Sequence, residues 1–259
     1  MTSRMHLFEF GDQEWLPEAW RRYITEYLQF MLVHGPFDGL PALVSRVAEG
    51  AEGSIVDLCS GSGGPWEMYL EEPLDQFAGV EVVLTDLRPN AEAFERIEQT
   101  TDGRASGYDR PVDATDVPAE LEGPRTIINA FHHFRPETAR SILADAVDRG
   151  EPIGVFEVMD RRLSTILSTL LVPLFVVLMT PFARPFRIGR IFWTYLIPVM
   201  PLLIFWDGLV SALRTYSPAE MLEMVEAFDD YDWEAGRVPA GEGPGPARIT
   251  YLVGRPLDG

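Results

Sequence analysis

The stretch Ser54 to Trp66, SIVDLCSGSGGPW, joins a short apolar run to an acidic residue and then to a cluster of glycines. A buried strand (Ile55, Val56, Leu58) feeding a glycine-rich turn and then a helix lets main-chain N–H groups approach a ligand closely. The position of the carboxylate selects the ligand. A dinucleotide fingerprint reads G-x-G-x-x-G, with its acidic residue about 20 positions later. Here Asp57 precedes Gly61 and Gly63, and Trp66 stands where the third glycine belongs, which counts against a nicotinamide dehydrogenase. Gly61-Ser62-Gly63 is too short for a G-x-S-x-G nucleophile elbow. Other apolar runs also close on polar residues: Asp86 after Val82 to Thr85, Asp113 after Pro111-Val112, and Asn129 after Thr126 to Ile128. Asn129 leads into Ala130-Phe131-His132-His133, and Glu157 and Asp160 follow the next apolar run. His132 and His133 are adjacent, so on regular structure their rings diverge. With no H-x-x-x-H spacing and a single cysteine, no metal site is expected.

The order D-x-x-x-G-x-G resembles motif I of the class I S-adenosylmethionine-dependent methyltransferases. In that family a second acidic residue closes the second strand and takes the ribose hydroxyls, a role the resemblance gives to Asp86, with Leu87 beside it. A third lies near the adenine amino group, where Asp113 and Ala114 stand. The fourth strand then runs into a segment beside the reacting methyl group, similar to Asn129 through His133. The resemblance implies S-adenosyl-L-methionine as cofactor. It implies a binding set of Asp57, Cys59, Ser60, Gly61, Gly63, Trp66, Asp86, Leu87, Asp113, Ala114 and Asn129, with His132 and His133 as the catalytic candidates and Glu157 or Asp160 as further bases. It covers residues 54 to 157 and, more loosely, the last forty. One departure is Cys59, which stands where the family has its first glycine, so a narrower turn is expected.

These residues converge only if the intervening elements place them on one sheet edge. From Ser54 the pattern alternates: strand 54–58, helix 64–72, strand 80–85, helix 89–99, strand 106–112, strand 125–129, helix 136–149, strand 151–157. Strands separated by helices imply parallel pairing and right-handed crossovers. Ligands of such sheets lie beyond the carboxyl ends of the strands. Ser217-Pro218-Ala219-Glu220 opens a helix running to Phe228, with Ser217 as N-cap and Glu220 closing a capping box. Two more strands, 231–238 and 247–254, flank a Gly/Pro-rich loop, and in the family such a hairpin sets its last strand beside the fifth. Upstream, apolar residues from Trp20 to Leu32 at helical spacing predict a helix over 17–33, and a second is expected over 37–49. The resulting fold is α/β: a doubly wound, mostly parallel, seven-stranded sheet of methyltransferase type. It carries N-terminal helices (1–50) that in the family close over the cofactor, the binding domain proper (51–160 and 207–259), and an apolar insertion (161–206).

The chain carries a net charge of −19, from 40 acidic and 21 basic residues, all of the latter arginine. So acidic a surface repels phosphate backbones and excludes nucleic acid as the substrate. Acid excess without lysine is a halophilic composition suited to a salt-rich cytoplasm, and a GC-rich genome explains the missing lysine alone. The single cysteine, Cys59, precludes an intramolecular disulfide, and Glu9, Asp12 and Glu14 interrupt any signal core, so a cytoplasmic setting is expected.

The insertion holds two uncharged runs, 163–183 and 191–206, around Arg184, Arg187 and Arg190. Three readings are open. As a transmembrane hairpin, its second run is short and both runs contain proline. As an interfacial arm on the inner face of the membrane, it would turn its arginines to anionic head groups, with Phe182, Phe186, Trp193 and Tyr195 at the interface. As a buried lid or homodimer surface, it would enclose a hydrophobic small-molecule substrate. In the second reading, removing Leu163 to Trp206 abolishes vesicle association and spares cofactor binding. Asp207, Arg214 and Tyr216, where the insertion returns, either anchor it or border the pocket.

Overall fold

The computed structural model describes residues 3–34, 37–49, 53–71, 77–241 and 247–257. Two helices, α1 (Glu18–His34) and α2 (Leu40–Ala48), precede the sheet. The alternating unit follows as β1 (Ile55–Leu58), α3 (Trp66–Glu71), β2 (Val82–Leu84), α4 (Ala91–Thr100), β3 (Ala105–Gly107), β4 (Arg125–Ile128), α5 (Pro136–Asp148) and β5 (Ile153–Glu157). The insertion forms α6 (Leu163–Ser168), α7 (Val172–Met179), α8 (Ile188–Ile191) with a π-helical turn over Phe192–Leu196, and α9 (Val199–Arg214). The chain closes with α10 (Pro218–Val225), β6 (Tyr231–Pro239) and β7 (Arg248–Pro256).

The seven strands lie in the order β3-β2-β1-β4-β5-β7-β6. The first five are parallel, and β7 enters antiparallel beside β5 with β6 outside it, as expected. Side-chain alternation divides the core. Ile55, Ile128 and Phe156 face α2, α3 and α4 on one side, while Val56, Ile127 and Val155 face α5 and α10 on the other. Because the chain moves outward from β1 to β3 and then returns to begin again at β4, the order reverses between β1 and β4. A crevice opens at that point, beyond the carboxyl ends.

Several boundaries differ from expectation. The third strand pairs over Ala105–Gly107 only; beyond it the Tyr108 and Val112 N–H groups still reach the Leu84 and Asp86 carbonyls, each at 2.9 Å, and Pro111 between them has no N–H to donate. The second helix starts at Leu40 with Pro41 in its first turn, three residues late. Helix α3 starts at Trp66 because Gly63 and Gly64 hold positive φ, and the expected last residue, Glu72, lies outside the described residues, as do most of the loop 239–246 and the Gly35-Pro36 and Gly50 breaks. The capping box of α10 is present, but the helix ends at Val225. Helix α9 runs without interruption through the expected insertion boundary at Trp206, so the insertion and the domain share one rod.

The insertion and α1 build a core of their own, in which Leu16, Tyr23, Ile24 and Tyr27 pack on Val176, Ala183, Met200, Leu203 and Ile204. Of the three arginines between its apolar runs, two are held inside the protein, and Arg184 is exposed. Arg187 Nε and Arg190 Nη1 each donate to the buried Glu26 carboxylate of α1 at 2.6 Å, and Arg190 also donates to the carbonyls of Ala183 and Pro185. Burial still pushes the Glu26 carboxyl upward against those two charges. Tyr27, Thr180 and Thr194 add a buried polar seam. Of the expected interfacial aromatics, Phe182, Phe186 and Tyr195 are exposed, whereas Trp193 packs edge-on against Trp20 at 5.0 Å. No single helix among the described residues is long and apolar enough to cross a membrane, and the pair 188–196 and 199–214 bends by 86°.

Candidate functional site

The loop after β1 has an unusual backbone. Cys59, Gly61, Gly63 and Gly64 all have positive φ, at 60°, 59°, 96° and 52°. Glycine adopts this region freely; a residue with a Cβ does so at a cost of about 1 kcal/mol or more. Cys59 therefore takes the conformation a glycine would take, and the turn keeps its course instead of narrowing. At Gly63 a Cβ would stand 2.0 Å from Ile97 Cδ1, so the Ile97 side chain of α4 would have to move to admit one. The Cys59 thiol is pushed well up by burial and by the nearby charges of Asp86, Asp57 and Asp113, which keeps it neutral.

Asp57 is turned inward. One carboxylate oxygen accepts from Ser60 Oγ at 2.7 Å and the other from Thr126 Oγ1 at 2.7 Å, tying the loop to β1 and β1 to β4. Desolvation raises its carboxyl to about 6, and the two hydroxyl donors only partly offset that. Asp57 thus shapes the loop from beneath. Asp86 faces the cleft: its Oδ2 accepts the Gly61 N–H and its Oδ1 the Arg88 N–H, both at 2.8 Å. Burial raises this carboxyl too, against the two backbone donors. Leu87 is exposed beside it, Ala114 is buried beneath, and Asp113 is exposed, with one oxygen accepting from the Thr115 N–H and hydroxyl. Asn129 has φ 55°, its N–H is spent on the Phe156 carbonyl at 2.7 Å, and its buried Oδ1 has no partner. From above, α1 reaches the loop through Thr25, whose hydroxyl accepts from Ser62 Oγ at 2.8 Å.

A 3₁₀ turn over Phe131–His133 follows Asn129. It sets the two imidazoles side by side, with centroids 4.3 Å apart and 33° between the planes. Fully buried Glu157, at the end of β5, accepts from the His132 N–H at 2.9 Å and pairs with Nδ1 at 2.8 Å. A carboxylate only accepts, so Nδ1 carries a proton. Nε2 has no hydrogen-bond partner and lies 3.9 Å from Glu9 Oε1. His133 Nδ1 meets Asp12 Oδ1 at 2.7 Å. Desolvation pushes His133 down, but Glu9 and Asp12 outweigh it and lift the imidazole to about 9. Arg214 closes the cluster, 2.6 Å from Asp12 and 3.2 Å from Glu9.

No protein-family model and no curated protein matches the chain. Solved structures do resemble it. An O-methyltransferase family protein from Burkholderia thailandensis superposes with a TM-score of 0.52 at 16% identity, over 93% of this chain and 60% of its own. The O-methyltransferase of neocarzinostatin biosynthesis, solved with S-adenosylmethionine and 2-hydroxy-5-methyl naphthoic acid, gives 0.53 at 14% identity, over 96% of this chain and 60% of its own. The plantazolicin methyltransferase BpumL, solved with a triazolic desmethylPZN analogue and SAH, gives 0.57 at 12% identity, over 93% and 94%. The fold is that of a methyltransferase.

Within that fold the residues named from sequence divide into three groups. Gly61, Asp86, Leu87, Asp113 and Asn129 follow the carboxyl ends of β1, β2, β3 and β4. Asp57 and Ser60 support the loop after β1 from below. Trp66 leaves the set: it is fully buried against Tyr69 and Phe77, with ring centroids 6.0 and 5.8 Å away. Asp160 is likewise not a free base, since it accepts from the Arg162 side chain and N–H and from Thr165 Oγ1 at the start of α6. Glu157 acts on His132 and is not itself at the surface. Sequence reasoning missed Glu9 and Asp12, which lie in an irregular segment with no periodicity. Asp207 is an anchor: its carboxylate accepts the N–H groups of Phe10 and Gly11 at 2.7 and 2.9 Å and so holds that segment over the histidines. Two surface concavities, about 560 Å³ between α10 and β6 and about 470 Å³ between α1, α3 and the insertion, contain neither Asp86 nor Asn129.

Proposed function

We propose that this chain binds S-adenosylmethionine in the crevice at the β1/β4 reversal and transfers its methyl group to a small molecule with a hydrophobic body. The observation that carries the reading is the pair of acceptors there: Asp86, tethered to the Gly61 N–H with lone pairs to spare, and the buried, unpartnered Oδ1 of Asn129. They suit a ligand that brings hydroxyl and amino donors, as the ribose and the methionine end of this cofactor do. Asp86 would take the ribose hydroxyls, Leu87, Asp113 and Ala114 would border the base, and Asn129 with the glycine loop would receive the methionine end. Bound there, the cofactor supplies a methyl group already activated on a sulfonium. What remains for the protein is to orient the acceptor and exclude water, which in well-aligned cases is worth effective molarities on the order of 10⁵ M. Glu157 fixes the His132 ring through Nδ1 and leaves Nε2 turned toward Glu9, on the side where the acceptor would lie.

A hydrophobic acceptor is supported by the surface of the insertion. Leu163, Ile188 and Leu196 are 69, 78 and 71% exposed, and Leu167, Leu170, Leu171, Leu174 and Leu178 continue the apolar strip. Exposed apolar area on this scale marks a contact surface. We read it as peripheral contact with a lipid surface from which the acceptor is drawn. The neocarzinostatin enzyme, with its fused-ring naphthoic acid, offers a parallel for a flat apolar acceptor.

Calorimetry with S-adenosylmethionine tests the cofactor half. Wild type is expected to bind and Asp86→Ala to bind at least tenfold more weakly; no binding by wild type refutes the reading. Transfer of labelled methyl from the cofactor into a lipid extract tests the other half. Binding without transfer to any component would instead favour a non-catalytic, partner-binding module on the same fold.

A further inference from the structure

Glu9, His132 and His133 come from sequence positions more than 120 residues apart, yet their ligating atoms all lie within 4.8 Å of one another. Adjacency of the histidines argued against a metal in the sequence, on the ground that neighbouring rings diverge. The 3₁₀ turn removes that argument by laying the rings side by side. The carboxylate of Glu9 then sits against both: Oε1 is 3.9 Å from His132 Nε2 and Oε2 is 3.5 Å from His133 Nδ1.

The Nδ1 of His132 is taken by Glu157, and its Nε2, buried and without a hydrogen-bond partner, is turned toward the Glu9 carboxylate. A buried nitrogen left unpartnered beside a buried carboxylate leaves a place for a cationic centre between them. Bonds of about 2.1 Å to nitrogen and oxygen in a tetrahedral site put ligand atoms about 3.4 Å apart, against 3.9 and 3.5 Å from Glu9 to the two imidazoles and at most 4.8 Å within the group. Glu157 on Nδ1 is the outer carboxylate that commonly orients a metal-bound imidazole. Once His133 has given up its proton, three carboxylates (Glu9, Asp12, Glu157) against one guanidinium (Arg214) leave two negative charges, which a dication balances.

We propose that Glu9, His132 and His133 bind a divalent transition metal of the zinc class, with a fourth position open to water or to an oxygen of the methyl acceptor. Two imidazoles and a single carboxylate favour zinc or cobalt over magnesium, which prefers an all-oxygen shell. On binding, the metal replaces the proton that His133 Nδ1 shares with Asp12, and that proton leaves to solvent; Asp12 remains on Arg214. The inference goes beyond the methyltransferase reading, since the metal can be measured without cofactor or acceptor.

The test is titration of the chelator-treated full chain with Zn²⁺ by calorimetry and with Co²⁺ by visible absorption. A single equivalent should bind, and the Co²⁺ complex should show the intense absorption of a four- or five-coordinate site. Glu9→Gln and His132→Gln should each weaken binding about 100-fold, while a variant carrying both His6→Gln and His34→Gln, which changes the other two of the chain's four histidines, should bind as wild type does. Far-ultraviolet circular dichroism checks that each variant is folded. Should His132→Gln fail to fold, Glu9→Gln decides alone, because Glu9 lies outside the sheet. Absence of Zn²⁺ binding, or binding unchanged in Glu9→Gln or lost in the His6/His34 variant, overturns the site; calorimetry with S-adenosylmethionine on the same samples shows independently whether the cofactor reading stands.

Discussion

Replacing Glu26 tests whether the apolar insertion is an appendage or part of the protein's frame. The carboxylate is buried on α1, and its two oxygens receive Arg187 and Arg190 at 2.6 Å each. In Glu26→Ala, Arg187, whose side chain is about one-fifth exposed, can rely on Glu92, which it already meets at 2.7 Å. Arg190, with 1% of its side chain exposed, cannot reach water and keeps only the Ala183 and Pro185 carbonyls. Breaking a buried pair from one side costs about 3–5 kcal/mol, and the two carbonyls place this case near 3. For a chain of this size that lowers the melting temperature by about 6–12 °C. Urea unfolding and a thermal scan measure both quantities. Glu26→Leu combined with Arg190→Met should restore most of the loss, because an apolar pair of similar volume removes the desolvation problem altogether. A loss below about 1 kcal/mol, the range of a surface ion pair, would refute the view that Glu26 clamps the insertion to α1. The same geometry revises the deletion experiment: removing Leu163 to Trp206 strips the apolar face of α1 and leaves Glu26 buried without its arginines, so loss of cofactor binding in that deletion would not isolate a membrane role.

Cys59→Gly should leave stability within about 1 kcal/mol of wild type, since relief of the positive φ offsets the added freedom of the unfolded chain, whereas Cys59→Val should cost about 2 kcal/mol in urea unfolding; a Val variant as stable as wild type would remove the strain argument. Asp57 has a carboxyl raised from 3.8 to about 6. The unfolded chain therefore ionises first, and this group's stabilising effect is full below pH 4 and lost as pH rises toward 6, to the extent of about 3 kcal/mol. Asp57→Asn should gain stability relative to wild type by up to that amount between pH 4 and pH 7, and a difference independent of pH would contradict it. Replacing Leu163, Leu170, Leu174 and Ile188 by Ser should abolish flotation with neutral phosphatidylcholine vesicles without lowering the melting temperature, because all four are exposed; flotation unchanged by the substitutions would count against the lipid surface.

The sheet was legible because its signals are local. Four buried residues in a row at β1, a carboxylate, and glycines at 61, 63 and 64 specify strand, turn and helix within one short window. Asp86 and Asn129 could be named for the same reason, each being the first carboxylate or amide after a buried strand. The direction in which a side chain points was harder to read. Asp57 and Trp66 belong to the motif, yet one is sealed beneath the loop by Ser60 and Thr126 and the other lies in the core with Tyr69 and Phe77. One of the three readings of the insertion turned its arginines to lipid; the partner of Arg187 and Arg190, Glu26, is over 160 residues away in sequence.

The same distinction separates the two halves of the site. The cofactor half rests on backbone geometry at strand ends, so few residue types satisfy it and the pattern announces itself. The half assigned to the acceptor is assembled at long range. Asp207 on α9 holds Phe10 and Gly11, Arg214 takes the Leu7 carbonyl at 2.7 Å, and Arg4 reaches back to the Phe134 carbonyl at 2.9 Å. Glu9 and Asp12 are carried to the histidines by that strap and by nothing in the sheet. Because α9 is also the last helix of the insertion, any displacement of the apolar arm pulls on Asp207 and Arg214, and through them on the residues that face His132 and His133. An arm pressed against a lipid surface or released from it would then alter the acceptor end of the crevice while leaving Gly61, Asp86 and Asn129 where the sheet holds them.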